Sequence, residues 1–377
     1  MRYFLVVGEA SGDLHASNLM AEILKLDNNA EFCFLGGDLM QAVGGEMVMH
    51  YRQMAFMGFI TIVRNLGKVL RNFDVCKSAI HRFQPDVVIL VDYPGFNLRI
   101  AKYVKQHTTI PVYYYIAPKI WAWKEHRVNK MKKYVDRIFT IFPFETAFYA
   151  KHQVAVEYVG NPSVDSISNR PLQNQSFETF CELNGLSNKP VIALLAGSRK
   201  QEIVKCLPRM LQAAATFRNY QVVIAGAPGI DPSFYDQFDV ATKATLVFNQ
   251  TYQLLQHASA AVVNSGTATL ETALIGTAQV VVYHVPLGRV GDWIKNVFLK
   301  VKYVSLVNLI AEREAVVELL AHQFTVQNVT KELDKLLNNK DIKAELTADY
   351  NLIKKTLGEA GTARRAAVLI NKYTNSN

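Results

Sequence analysis

The sequence predicts an α/β protein of two domains, each wound around a parallel β-sheet. Three observations carry that expectation. The chain has 377 residues, more than one ordinary hydrophobic core organises. Short β-branched or aromatic runs alternate with helical patterns, as in βαβ units. That alternation occurs twice, on either side of a polar, turn-rich stretch.

In the first half, Tyr3 to Val7 reads as a strand, and Asp13 is placed to cap a helix with Leu19, Met20, Ile23 and Leu24 on one face. Val87 to Val91 is a continuous apolar run, as expected of a central parallel strand covered on both faces. Val112 to Ile116, Ile138 to Ile141 and Val156 to Val159 are further strands, with helices around 100–105, 128–134 and 145–151 between them. From Ser166 to Pro190 the chain is rich in Asn, Ser, Gly and Pro and reads as a linker. A second set follows, with strands at 191–195, 221–225, 260–263 and 280–283 and a helix at 204–217. Beyond Val329 only helical patterns remain. The expected division is 1–165, 166–340 and a helical tail, 341–377, returning to the first domain.

Half the residues are apolar and 19% are charged, which excludes a disordered chain. The formal net charge of +9 favours anionic partners: nucleotide diphosphates, phosphosugars, acidic lipid headgroups or nucleic acid. Cys33, Cys76, Cys181 and Cys206 are scattered, as expected of reduced thiols in a cytoplasmic protein. The nine histidines form no H-E-x-x-H or clustered ligand spacing, so no metal is expected. The apolar run from Phe4 to Val7 is only strand-length, and no apolar stretch is long enough to cross a bilayer. Any membrane contact is therefore expected to be peripheral.

Ligands of open parallel sheets bind beyond the carboxyl ends of strands, and four loops there carry chemistry. Gly8-Glu9-Ala10-Ser11-Gly12-Asp13 follows the first strand, with glycines that let backbone approach a ligand and a helix that offers free amides. It lacks the Gly-Lys-Ser/Thr of a Walker A loop. Asp92-Tyr93-Pro94-Gly95-Phe96-Asn97 sets an acid where partial desolvation tunes a base; turn-forming by Asp92 and Asn97 is the plainer alternative. Ala196-Gly197-Ser198-Arg199 offers a guanidinium fork suited to a diphosphate. Asn264-Ser265-Gly266-Thr267-Ala268-Thr269-Leu270-Glu271 opens a helix at Gly266–Thr267, a natural seat for phosphate, with Glu271 one turn on to accept from ribose hydroxyls.

Met54 to Phe73 mixes large apolar residues with Arg64, Lys68 and Arg71 and carries no acid, which suits a lipid interface or a buried helix with basic ends. Between Lys119 and Arg137 seven Lys or Arg face two acids, beside Trp121 and Trp123. That composition suits a headgroup surface or a phosphorylated substrate. No helix-turn-helix, zinc-finger or RNP signature accompanies it, so no nucleic-acid partner is expected.

With those residues in place, the chain resembles the lipid-A-disaccharide synthase family. The similar passages are GEASGD at 8–13, DYPGFNLR at 92–99, IAPKIWAWKEHRV at 116–128, FPFE at 142–145, YVGNP at 158–162, GSR at 197–199, GTATLE at 266–271 and YVSLVNLIAERE at 303–314. The resemblance implies a GT-B fold, two Rossmann-like domains facing across a cleft, with terminal helices returning to the first. It implies transfer of a diacylated glucosamine from UDP-2,3-diacylglucosamine to 2,3-diacylglucosamine 1-phosphate, giving a β-1,6-linked disaccharide 1-phosphate and UDP. Neither metal nor other cofactor is implied.

Carried over residue by residue, Glu9, Ser11, Gly12 and Asp13 line the first domain's side with Asp92, Asn97 and Trp121. Gly197, Ser198, Arg199, Asn264, Ser265, Gly266, Thr267 and Glu271 belong to the UDP side, and Asn308 matches a position linked to activity. The family loop often reads D-x-P-D-F-N; here its second acid is replaced by Gly95, leaving Asp92, Glu9 or Asp13 as the base. Ala196 stands where the family has proline. The resemblance further implies contact with the cytoplasmic leaflet of the inner membrane and a homodimer through the C-terminal region. A UDP-sugar epimerase and a transferase for another lipid-linked acceptor are the alternative readings.

Overall fold

The computed structural model describes residues 1–54, 66–123, 125–284 and 302–376. The chain divides into two compact units, Met1–Pro162 with Ala360–Asn377, and Ser163–Glu359.

The first unit is built on seven strands: β1 (Arg2–Val7), β2 (Glu31–Gly36), β3 (Glu46–His50), β4 (Val87–Val91), β5 (Val112–Tyr115), β6 (Arg137–Thr140) and β7 (Glu157–Tyr158). Their order is β3-β2-β1-β4-β5-β6-β7, and every pairing is parallel. The chain starts mid-sheet, builds outward one way, then returns to β1 and builds the other way. β4 is buried at all five positions, as its unbroken Val-Val-Ile-Leu-Val run requires for a strand covered on both faces. Phe4, Val6, Leu35, Val88, Leu90, Val104 and Tyr114 are part of the core beneath it.

The second unit repeats the plan with six strands: β8 (Val191–Leu195), β9 (Gln221–Gly226), β10 (Thr245–Phe248), β11 (Ala258–Asn264), β12 (Gln279–Tyr283) and β13 (Glu318–Leu320). The order is β10-β9-β8-β11-β12-β13, again parallel throughout. Each sheet therefore has one topological switch point, β1/β4 in the first unit and β8/β11 in the second, where ligands of this architecture bind.

Three expectations are corrected. The supposed linker contains two short helices, Pro162–Ser168 and Phe177–Leu183; Ser176 caps the second, and Phe180 is buried in the core of its unit. The return to the first unit begins at Ala360 rather than 341. Helix Lys340–Leu357 instead packs on helices Thr267–Ile275, Leu306–Ala311 and Val326–Asn338, burying Leu346, Tyr350, Ile353 and Leu357. Helix Thr362–Asn375, in contrast, packs on the first unit's Ala10–Leu26. Third, Glu9 in extended conformation, not Asp13, is the N-cap of helix Ala10–Leu26.

Of the acid-free stretch at 54–73, residues 55–65 lie outside the described residues, and helix Leu66–Phe83 takes up the remainder. Among the described residues, no helix is long and apolar enough to cross a membrane. All four cysteines are buried free thiols.

Candidate functional site

The sheet topology brings the first two loops together. Val7 of β1 is in register with Val91 of β4, so Gly8 and Asp92 leave the sheet side by side. Gly8 lies against the ring of Tyr93, where a Cβ would overlap the ring carbons. Gly12 brings the first helix down onto Val7, and a Cβ there would sit 2.8 Å from Val7 Cγ1. Ser11 is exposed at the helix start.

Asp92 and Tyr93 both adopt left-handed backbone, at φ 43° and 48°. Such conformations cost non-glycine residues energy and persist only where surroundings hold them. The hold is visible. Asn97 Nδ2 reaches the carbonyls of Val6 at 3.3 Å, Val91 at 3.1 Å and Asp92 at 2.7 Å, while the Tyr114 hydroxyl donates to the Asp92 carbonyl. Asn97 is fully buried, and its amide nitrogen clamps the turn. Burial raises the Asp92 carboxyl above the usual carboxylate range, against the opposing pull of Lys119 and the Tyr93 amide.

Glu9 is half-buried in the same group, and its charge, after burial, helps raise the neighbouring Tyr93 phenol. Asp13 is engaged elsewhere. It is 3% exposed, and its two oxygens accept the backbone N–H groups of Gly37 at 2.8 Å, Leu39 at 3.1 Å and Met40 at 3.2 Å. Asp13 caps helix Asp38–Val43, whose own N-cap, Gly37, has no side chain to do so. A Cβ on Gly37 would stand 2.6 Å from Asp13 Oδ2, so glycine is what allows the approach.

Trp121 is half-buried in the short helix Ile120–Trp123 that follows β5, and its Nε1 donates to Glu145 Oε1 at 3.1 Å. Glu145 Oε2 accepts the amides of Ile141 at 3.2 Å and Phe142 at 3.0 Å. Burial outweighs these three donors and pushes the Glu145 carboxyl up to about 7.

The second unit pairs the other two loops in the same way. Leu195 of β8 is in register with Val263 of β11, which sets Ala196–Arg199 beside Asn264–Glu271. Gly197 has φ 113°, and a Cβ there would lie 2.6 Å from Glu202 Oε2 and 2.9 Å from Asn264 Nδ2. Ser198 and Arg199 are exposed, Arg199 as the N-cap residue of helix Lys200–Ala214. Asn264 is buried at the end of β11, with Cys206 Sγ donating to its Oδ1 at 3.5 Å. Ser265 continues the strand through its N–H to the Val282 carbonyl at 2.9 Å. Gly266 is the N-cap of helix Thr267–Ile275, and both Gly266 and Thr267 are exposed, leaving the helix start open to an anion. Glu271 is half-buried beside Tyr252; burial raises its carboxyl, and a hydrogen bond from the Tyr252 hydroxyl opposes that rise.

Asn308 is fully buried and its amide is used internally. Nδ2 donates to the Val316 carbonyl and to Glu318 Oε1, both at 2.8 Å, while Oδ1 accepts the Val316 amide at 2.9 Å. It shapes its own loop rather than facing solvent. Glu202, Tyr252 and Glu145 carry site geometry that the sequence reading passed over. Glu202 had a signal, a glutamate at the third position of the helix that Arg199 opens. Among the described residues, no group of His, Cys, Asp and Glu can hold a metal ion.

The family profile described as lipid-A-disaccharide synthetase matches residues 3–372. The chain belongs to the lipid-A-disaccharide synthase family. A relative of that name from Myxococcus xanthus is 37% identical over 97% of this chain and 96% of its own length. This family membership makes the chain a hexosyltransferase acting on nucleotide-sugar and lipid-linked substrates. Among solved structures, the UDP-GlcNAc 2-epimerase from Neisseria meningitidis bound to UDP-GlcNAc matches with a TM-score of 0.61 at 13% identity, covering 100% of each chain. CalG4, the calicheamicin glycosyltransferase, matches with a TM-score of 0.59 at 14% identity over 99% of this chain and 98% of its own. At such identities these two show the fold alone, the GT-B arrangement of two α/β domains. The epimerase likeness therefore does not favour the epimerase reading.

Proposed function

We propose that this chain joins UDP-2,3-diacylglucosamine to 2,3-diacylglucosamine 1-phosphate by inverting displacement, releasing UDP and a β-1,6-linked disaccharide 1-phosphate. The observation that carries the mechanism is the desolvated carboxyl of Asp92, on a backbone turn clamped by Asn97 and Tyr114 at the switch point of the first sheet. Asp92 takes the proton of the acceptor 6-hydroxyl, that oxygen attacks the donor anomeric carbon, and the bond to the UDP oxygen breaks. Glu9 is the second candidate for the base. Asp13 and Asn308 drop out of the catalytic group, because their polar atoms are buried and bonded within the fold.

In this reading the second unit holds the donor. The open start of helix Thr267–Ile275, with Ser265 and Gly266, receives the diphosphate, and its dipole stabilises charge on the leaving UDP. Arg199 adds a guanidinium, and the close approach at Gly197 gives room for it. The Glu271 oxygen not used by Tyr252 accepts from the ribose. Peripheral contact with the cytoplasmic leaflet follows from substrates whose acyl chains sit in lipid. Exposed Lys68, Leu70 and Arg71 on helix Leu66–Phe83 support that placement.

The test is incubation in detergent with both substrates, following UDP and disaccharide by mass spectrometry. Acceptor-dependent UDP release with a disaccharide product is expected. UDP binding without product would reject the acceptor assignment.

A further inference from the structure

The segment after β5 carries a cluster of cations; among the described residues, Lys119, Arg127, Lys130, Lys132, Lys133 and Arg137 form no ion pair with a carboxylate. Between Lys119 and Arg137 there are seven Lys or Arg and two acids. Both acids turn to partners outside the segment. Glu125 Oε1 lies 3.1 Å from His152 Nε2. Asp136 pairs with Lys105 at 2.9 Å and accepts the Val112 amide at 2.8 Å.

Parallel register sets this loop against the Asp92 turn. Val91 pairs with Tyr115, and the Asp92 amide donates to the Tyr115 carbonyl at 3.3 Å. Two of the cations act electrostatically on groups at that turn. Arg127, half-buried at the start of helix Val128–Tyr134, interacts with the Tyr114 phenol whose hydroxyl holds the Asp92 carbonyl. Lys119, exposed on the loop, acts electrostatically on the Asp92 and Glu145 carboxyls. Among the described residues, no carboxylate forms an ion pair with Arg127 or Lys119. A half-buried guanidinium without a carboxylate counter-charge is an unfavourable state that an incoming anion relieves, and its fork of donors matches a phosphate monoester.

We propose that Arg127 and Lys119 form an anion subsite that grips the phosphate of the acceptor sugar, one pyranose ring away from the hydroxyl that Asp92 deprotonates. The inference rests on the reading under Proposed function and adds to it the group that selects a phosphorylated acceptor. Arg127 supplies planar, directional donors, and Lys119 supplies a point charge at the rim.

The experiment measures kcat/KM in detergent for two acceptors, 2,3-diacylglucosamine 1-phosphate and 2,3-diacylglucosamine, with wild type, Arg127→Ala, Arg127→Lys and Lys119→Ala. The wild type is expected to prefer the phosphorylated acceptor. Arg127→Ala is expected to shrink that preference tenfold or more, through KM for the phosphorylated acceptor, with the Kd for UDP within twofold of wild type. Arg127→Lys retains part of the preference, and Lys119→Ala loses a smaller part without touching a buried position. An unchanged preference in both alanine variants, or equal losses on both acceptors, overturns the subsite. If wild type makes disaccharide from neither acceptor, the functional reading itself fails, an outcome separable from failure of the subsite alone.

Discussion

The Glu202 carboxylate accepts the backbone N–H of Ser198 at 3.0 Å, and its other oxygen lies 3.4 Å from Arg199 Nη1. One side chain thus fixes the Gly197–Arg199 turn and restrains the guanidinium assigned to the diphosphate. Glu202→Ala should weaken UDP binding about tenfold, roughly 1.4 kcal/mol, by titration calorimetry. In a double-mutant cycle with Arg199→Ala the two losses should fall short of additivity, because both remove one arrangement. Full additivity would separate Glu202 from the work of Arg199.

Asp13 should matter to stability and not to chemistry. Asp13→Ala leaves the N–H groups of Gly37, Leu39 and Met40 without their acceptor. A loss of about 1–3 kcal/mol in denaturant unfolding is expected, with kcat of the folded fraction near wild type. A large fall in kcat at unchanged stability would return Asp13 to the catalytic group.

Gly95 stands where the family resemblance implies an acid, and the structure leaves room for one. A Cβ at Gly95 meets nothing within 4 Å, and the position lies in the first turn of helix Pro94–His107. Gly95→Asp should therefore fold and gain about 0.5–1 kcal/mol from the helix dipole and reduced chain entropy. Thermal unfolding checks this, and a fall in Tm would show that the turn needs glycine.

Glu145 gives a pH signature. Its folded carboxyl titrates near 7 because of burial, above the 4.5 of an unburied glutamate. Between those values the unfolded chain releases a proton that the folded chain keeps, so this group's contribution to stability falls as pH rises from about 4.5 to 7. The full loss is at most about 3 kcal/mol. The stability difference between wild type and Glu145→Gln should shift in favour of the variant across that window. A constant difference would contradict the assignment.

Much of this was legible in the sequence because the informative residues sit where strands end. Gly8–Asp13, Asp92–Asn97, Gly197–Arg199 and Asn264–Glu271 each follow a short apolar run, and those runs are the four strands that flank the two switch points. The strands passed over were the shorter or outer ones. β3, β10 and β13 lie at sheet edges with mixed burial, and the short apolar run of β2 has no periodicity to mark it. The role of Asp13 was hidden for another reason. The helix it caps lies more than twenty residues further along the chain, and only tertiary structure brings Gly37 to it. Asn308 entered through the family resemblance, and its internal partners Val316 and Glu318 follow a turn that its own sequence does not announce.

The central claim is that Asp92 is the base, held by Asn97 and Tyr114 and tuned by burial. Comparing kcat and the Kd for UDP in wild type and Asp92→Asn tests it most directly. The account predicts that kcat falls a hundredfold or more, with UDP affinity within about twofold of wild type. A kcat near wild type, or equal losses in both quantities, would contradict it.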